Sequence, residues 1–195
     1  MRVEGKSRTL LPATTAKTHR GSITKGGTPA GLCSATSAAG ALDVATHHNW
    51  GATFSSSLNE PELISVLGEK WPFTQANYYW AIWVNDKYAQ VGMCELKLRR
   101  GDRVLFAVDS DKHHEHPLSL AAPRHATAGR PFTVTVDWLA DNGKAKPLSG
   151  VRIMGASTNQ RGRATITPTK RGKLRLKASK PGYIRSAVEP VSVSG

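Results

Sequence analysis

Cysteines, aromatic rings and a short histidine cluster are the residues of this 195-residue chain whose types could do chemistry. Cys33 and Cys94 are its only cysteines, and neither has a Cys or His two to five residues away. Zinc needs close-spaced ligands, so a zinc site is not written here. Three states fit two such residues: a disulfide, two buried thiols, or half of a metal site. An extracellular setting favours the disulfide. The loop-entropy model then gives it about 4 kcal/mol, against a total stability of about 5–15 kcal/mol for a small domain. Such a bridge would pin the flank of a helix to the sheet, with Cα atoms within about 7 Å.

Flat rings stack on apolar or sugar faces. Trp71, Tyr79, Trp80, Trp83 and the polar Asn85 are therefore the candidate ligand-binding residues. The competing reading makes Trp80 and Trp83 ordinary core packing. Asp111-Lys-His-His-Glu-His116 has no second ligand cluster beside it and reads as a solvated linker. His47 and His48 sit at a helix end, as surface residues. Gly26-Gly27 with Lys25 lacks the phosphate-loop pattern, and no nucleophile elbow, His-Glu-x-x-His or dinucleotide fingerprint occurs. Arg100-Gly101-Asp102 is the tripeptide that integrins read, but Gly101-Asp102 has a plain turn role. No catalytic residue, resident metal or cofactor is assigned, and an enzyme is not expected.

The elements that must position these residues follow from periodicity. Tyr78 to Val84 is aromatic and β-branched, hence a strand. Alternation puts Tyr79, Ala81 and Trp83 on one face and Tyr78, Trp80, Ile82 and Val84 on the other. Rings on both faces predict a central strand, and a ring left exposed opposite the helix would form a binding face. Asn85-Asp86-Lys87 is a turn, Tyr88–Val91 the returning strand, and Arg103–Val108 a third strand after Gly101-Asp102. Upstream, Arg2–Leu11 reads as one strand ending at Pro12, with Thr14–Thr18 as its hairpin partner. Ser37–His47 is the one good helix, capped by Thr36 or Ser37 and ended by Asn49-Trp50-Gly51. Glu62–Leu67 is a strand, and Trp71-Pro72-Phe73 an apolar loop that either caps the core or binds something. This order is that of a β-grasp-like α+β domain.

Several of these features together resemble the DUF4430 family. They are Trp80-Ala-Ile-Trp-Val-Asn85, Gly92-x-Cys94 and Gly101-Asp102-x-Val104, preceded by Val3-Glu4-Gly5, Thr9-Leu10-Leu11-Pro12, Cys33 and Ser37–Thr46. The family has no known function and is similar to the small C-terminal β-domain of transcobalamin and intrinsic factor. The resemblance covers about residues 2 to 110. Asp86 stands where the family commonly has Gly, which the turn tolerates. In transcobalamin-like proteins the related domain closes over a corrinoid held mainly by a helical barrel, which has no counterpart here.

Charge and texture change after residue 110. Residues 1–110 carry 12 basic and 9 acidic residues, a net +3, whereas residues 111–195 carry 15 and 5, a net +10. Leu118–Ala121, Pro131–Leu139, Gly150–Met154, Arg163–Thr167, Lys173–Ala178 and Ala187–Val193 are short strands separated by turn signals, which predicts an all-β sandwich. The run Ser157–Ile166 followed by Gly172–Tyr183 resembles the Ig-like repeats of bacterial surface proteins. Some of these carry Lys–Asn crosslinks; Lys144, Lys146 and Asn159 are present, but nothing in the sequence pairs them.

The expected organisation is a DUF4430-like domain over residues 1–110, a linker over 111–116, and an Ig-like domain over 117–195. Limited proteolysis should cut near Lys112. No apolar run is long enough to span a membrane. The strand pattern begins at Arg2, so no signal peptide is expected ahead of it, and Met1 reads as a start added to a processed segment. The expected function is a non-catalytic, extracellular or cell-surface ligand-binding or interaction module. Its ligand would be a small molecule, a glycan or a surface protein, and its basic half could take an acidic polymer. Alternatives are an accessory domain of a cobalamin-binding or carbohydrate- or cell-wall-binding protein, and an enzyme with an unrecognised site. Nucleic acid is not an expected partner, because the basic residues alternate along strands rather than forming one stripe.

Overall fold

A computed structural model describes residues 1–72 and 77–195. They form two units, Met1–His114 and Glu115–Gly195. Both are β-rich, and the described residues hold one α-helix, of eight residues.

The first unit contains β1 (Arg2–Glu4), β2 (Thr9–Leu11), β3 (Ser22–Ile23), β4 (Cys33–Ser34), α1 (Ala38–Ala45), β5 (Trp50–Ser55), β6 (Glu60–Val66), β7 (Glu69–Lys70), β8 (Tyr78–Val84), β9 (Lys87–Tyr88) and β10 (Val104–Ser110). A mixed sheet has the order β2-β1-β10-β8-β9, with β1 parallel to β10 and the other neighbours antiparallel. β5, β6 and β7 form a separate antiparallel sheet, and β3 pairs with β4.

The single strand read over Arg2–Leu11 is in fact a hairpin. Gly5 N–H donates to Arg8 O across a turn, and Thr14–Thr18 forms no strand. The buried Glu4 carboxylate decides this local fold. It accepts from the Thr9 hydroxyl at 3.0 and 3.1 Å and lies 3.5 Å from the Arg2 guanidinium. Trp50-Gly51 opens β5 instead of only ending the helix. The strand returning from the Asn85 turn stops at Tyr88, not Val91. Phe73 lies outside the described residues.

Helix α1 is made of small residues because it sits close to its neighbours. A Cβ on Gly40 would lie 2.0 Å from Ala35 O. Ala38, Ala39 and Leu42 join a buried cluster with Val3, Trp80, Phe106 and Val108. Ser37 occupies the N-cap position, but its side chain makes no capping bond. The orphan amides of the first turn are met by main chain: Ala38 N–H donates to Leu96 O at 2.9 Å and Ala39 N–H to Met93 O at 3.2 Å. Cys33 and Cys94 form a disulfide with Cα atoms 4.8 Å apart, fastening that same segment beside the helix.

The second unit contains β11 (His116–Ala121), β12 (His125–Thr127), β13 (Phe132–Leu139), β14 (Ala145–Pro147), β15 (Arg152–Ile153), β16 (Ala156–Ser157), β17 (Arg163–Ile166), β18 (Gly172–Leu176), β19 (Tyr183–Ile184) and β20 (Glu189–Ser194). β14-β13-β11-β19 form one sheet, with β17 also on β13, and β12-β20-β18 form another. Alternate residues from both sheets, among them Leu120, Val134, Leu176 and Val191, share one aliphatic core. His116 belongs to β11, and Glu115 and His116 are half-buried, so the solvated part of the expected linker ends earlier.

Candidate functional site

The five candidate residues on and around β8 do not come together. Trp83 is 1% exposed. Its ring is stacked on His114 at 6.2 Å and meets Tyr88 edge-on at 5.3 Å. Trp80 is 8% exposed, faces the helix-packed cluster and donates its Nε1 proton to Ile64 O at 3.3 Å. Neither tryptophan presents an open ring face, so neither supplies the exposed ring that a binding face opposite the helix would need. Asn85 is a clamp: its Nδ2 donates to Asp102 Oδ1, and its Oδ1 accepts from Arg103 N–H, both at 2.9 Å. Asp102 also accepts from Arg99 N–H at 2.6 Å. These hydrogen bonds hold the Asp102 carboxyl below the usual carboxylate range, and they confirm its turn role. Trp71 is half-buried, donates to Glu69 Oε1 at 2.8 Å and meets Tyr78 edge-on at 5.2 Å, with Lys6 Nζ 3.3 Å from the Tyr78 ring.

A different feature gathers the chemistry. A cleft of about 410 Å³ lies between β6 and β8 and is lined also by Tyr88–Met93. Tyr79 and Trp80 are the only members of the candidate set that line it. Its rim carries Leu58 and Val91, 63% and 46% exposed, two of the three large hydrophobic side chains left open among the described residues. Glu60 and Glu62 supply its charge.

Glu60 explains the Gly-x-Cys motif. Its carboxylate accepts from Cys94 N–H at 3.3 Å and from Glu95 N–H at 3.2 Å. A Cβ at position 92 would stand 2.4 Å from Glu60 Cδ, so only glycine lets the side chain reach these amides. Burial pushes the Glu60 carboxyl up, opposed by the two amides and aided by the nearby Glu95 charge. One buried acid thus joins the cleft wall to the disulfide segment.

Behind Tyr79 lies a polar knot. The Tyr79 hydroxyl donates to Asp109 Oδ2 at 3.0 Å and lies 3.4 Å from the Tyr88 hydroxyl. His114 Nδ1 donates to the same Asp109 oxygen at 2.5 Å, and Ser110 N–H to the other at 2.7 Å. Burial, the Tyr88 hydrogen bond and the Asp109 charge all push the Tyr79 phenol upward, so it stays protonated. The Asp109 bond orients the Tyr79 ring as a cleft wall.

Leu58, Glu60, Val91 and Gly92 were not among the sequence-based candidates. Leu58 carries the clearest signal, an apolar residue in the polar run Ser55-Ser-Ser-Leu-Asn59. In the second unit, Asn159 Oδ1 accepts from Arg161 and Arg163 N–H, and Lys146 Nζ lies 4.8 Å from the Trp138 ring.

Residues 41–110 match the model of a family described as a domain of unknown function, DUF4430. The match supports the family resemblance over that part of the chain, which holds the end of α1 from Ala41, both cleft walls and Cys94. No curated protein and no solved structure matches the chain.

Proposed function

We propose that the chain is a non-catalytic binding module that works outside the cell or at its surface, with its ligand in the cleft between β6 and β8. The observation that carries this is the convergence of Leu58 and Val91 on the rim of one concave site. Exposed apolar side chains grouped at a pocket mark interaction surfaces, whereas scattered ones need no explanation. The disulfide fits an oxidising compartment. Parallel pairing of β1 with the last strand, with α1 between them in sequence, supports a β-grasp-like first unit related to the transcobalamin-type β-domain. The two sheets around one aliphatic core support an Ig-like second unit. With Trp80 and Trp83 covered, apolar contact at the rim replaces sugar stacking as the mode of binding.

A neutral naphthylamine fluorophore should brighten and shift to the blue with the full chain. A Leu58→Asp, Val91→Asp double variant should lose most of that signal while keeping the parent far-ultraviolet circular dichroism. Equal enhancement by the variant would move the site elsewhere.

A second reading concerns acidic polymers. Lys173 and Arg175 point outward from the edge strand β18, while Leu176 beside them points into the core. Salt-dependent retention on heparin, weakened in Lys173→Gln/Arg175→Gln, is the expected result.

A further inference from the structure

Resting on the cleft reading above, we propose that the occupant is an extended polypeptide segment of alternating apolar and basic residues, which adds a strand to the open outer edge of β8.

Backbone direction along β8 supplies the first argument. Asn85 N–H donates to Arg103 O, and Asn77 O accepts from Asp111 N–H. Odd-numbered residues therefore turn their backbone groups toward β10, and even-numbered ones toward the opposite edge. On that edge Val84 faces Lys87, and Ile82 O accepts Ala89 N–H at 2.8 Å. β9 ends at Tyr88, and Ala89 makes the last such bond. The amides and carbonyls of Trp80 and Tyr78 are next in line, and no strand among the described residues pairs with them on that side. Across the cleft, β7 pairs β6 at Ser65 and Val66, and Trp71 N–H donates to Ile64 O, so no strand among the described residues lies on the outer edge of Glu60–Leu63.

The second argument is what β8 lacks. Open edges are usually blunted by lysine, proline or a bulge. Tyr78-Tyr-Trp-Ala-Ile-Trp-Val84 has no lysine or proline, and its pairing with β10 runs without a register shift. The edge strand β18 of the second unit, by contrast, carries Lys173 and Arg175.

Charge supplies the third. The chain is +13, yet the charged residues lining the cleft are Glu60 and Glu62, with no Lys, Arg or His among them. The occupant brings the cation, and its apolar side chains meet Leu58, Val91 and Met93. Alternation on a strand presents the two kinds of side chain on opposite faces.

The test uses the full chain, the neutral fluorophore, and an acetylated, amidated Val-Lys alternating octapeptide. The peptide should displace the fluorophore and slow hydrogen exchange at the Trp80 amide. The same peptide N-methylated at alternate residues should bind about tenfold more weakly, the effect of losing one or two hydrogen bonds. A Val-Glu octapeptide should not displace the fluorophore, although bulk charge alone would favour it. Glu62→Lys should reverse that preference. Equal displacement by the N-methylated or Val-Glu peptide overturns the inference, as does unchanged exchange at Trp80. A fluorophore that binds but is not displaced by Val-Lys ends the strand-addition proposal and leaves the cleft reading standing. A fluorophore that does not bind ends both.

Discussion

All four buried carboxylates among the described residues, Glu4, Asp43, Glu60 and Asp109, belong to the first unit, whereas the second unit buries Thr158 and Ser186 as its polar side chains. Each acid sits at a joint. Glu4 closes the β1–β2 hairpin. Asp43 accepts Trp50 Nε1–H and His48 Nδ1–H, both at 2.7 Å, tying the end of α1 to β5. Glu60 ties β6 to the disulfide segment, and Asp109 orients Tyr79 and His114. In the second unit, hydroxyls do the equivalent work over short range. Thr158 donates to Leu148 O and accepts Val151 N–H, and Ser186 accepts Ala178 N–H. Sheets that share an aliphatic core are held by burial. A unit built from a mixed sheet, a second small sheet and an alanine-rich helix needs directional polar joints where apolar area is short.

The largest expected break is Trp83→Ala. Removing so large a buried ring should cost about 3–5 kcal/mol, seen as a lowered midpoint in urea unfolding. A loss under about 1 kcal/mol would make the ring a surface element. Next is the disulfide. Its reduction should cost about 4 kcal/mol in a thermal transition assigned to the first unit, through exchange at Phe106 and Leu42. An equal shift of exchange at Val134 and Leu176 would show that the two units do not unfold separately. Gly92→Ala follows, at about 1–3 kcal/mol for leaving the Cys94 and Glu95 amides without their acceptor. It should also remove exchange protection at the Cys94 and Glu95 amides, because the Glu60 side chain must withdraw.

The joints also separate the units by pH. Glu60 is raised in the folded state, so its contribution is fully present below the ordinary glutamate value of about 4.3 and is lost as pH rises through its higher folded value. Wild type should therefore gain on Glu60→Gln as pH falls through that window. A difference that stays constant with pH would mean that burial does not perturb this carboxyl. Asp102 has the opposite sign. Its lowered value gives stability above the ordinary aspartate range, lost only as pH falls through the folded value, so acid unfolding of the Asn85 clamp should come late. The smallest effect is Leu176→Ala compared between pH 5 and pH 7. It should cost about 2–5 kcal/mol at both, with the difference between the two near zero, since no buried carboxylate lies in that unit.

The strand pattern was the most legible level. All six strands expected after residue 117 have a counterpart, the one over Gly150–Met154 only as the two-residue β15. Four short ones, β12, β14, β16 and β19, escaped notice because two or three residues cannot display a period. The turn at Asn85-Asp86 was also readable. Both residues adopt left-handed φ values of 50° and 68°, which Asn and Asp tolerate, so Asp86 serves where glycine is common. The helix was found but its cap was not. Ser37 has the right type, yet the orphan amides go to carbonyls of Met93 and Leu96, some fifty residues away in sequence.

The sequence by itself determined the β-rich class, the position of the helix, the turn chemistry and the fact that β8 carries rings on both faces. Only the tertiary structure decided that both tryptophan faces are covered, that Cys33 meets Cys94, and that Leu58, Glu60 and Val91 border one cleft. Period and propensity are properties of neighbouring residues, so they survive in a linear reading. Which face is covered, which strand edge stays open and which glycine makes room for a distant carboxylate depend on segments that meet only after folding.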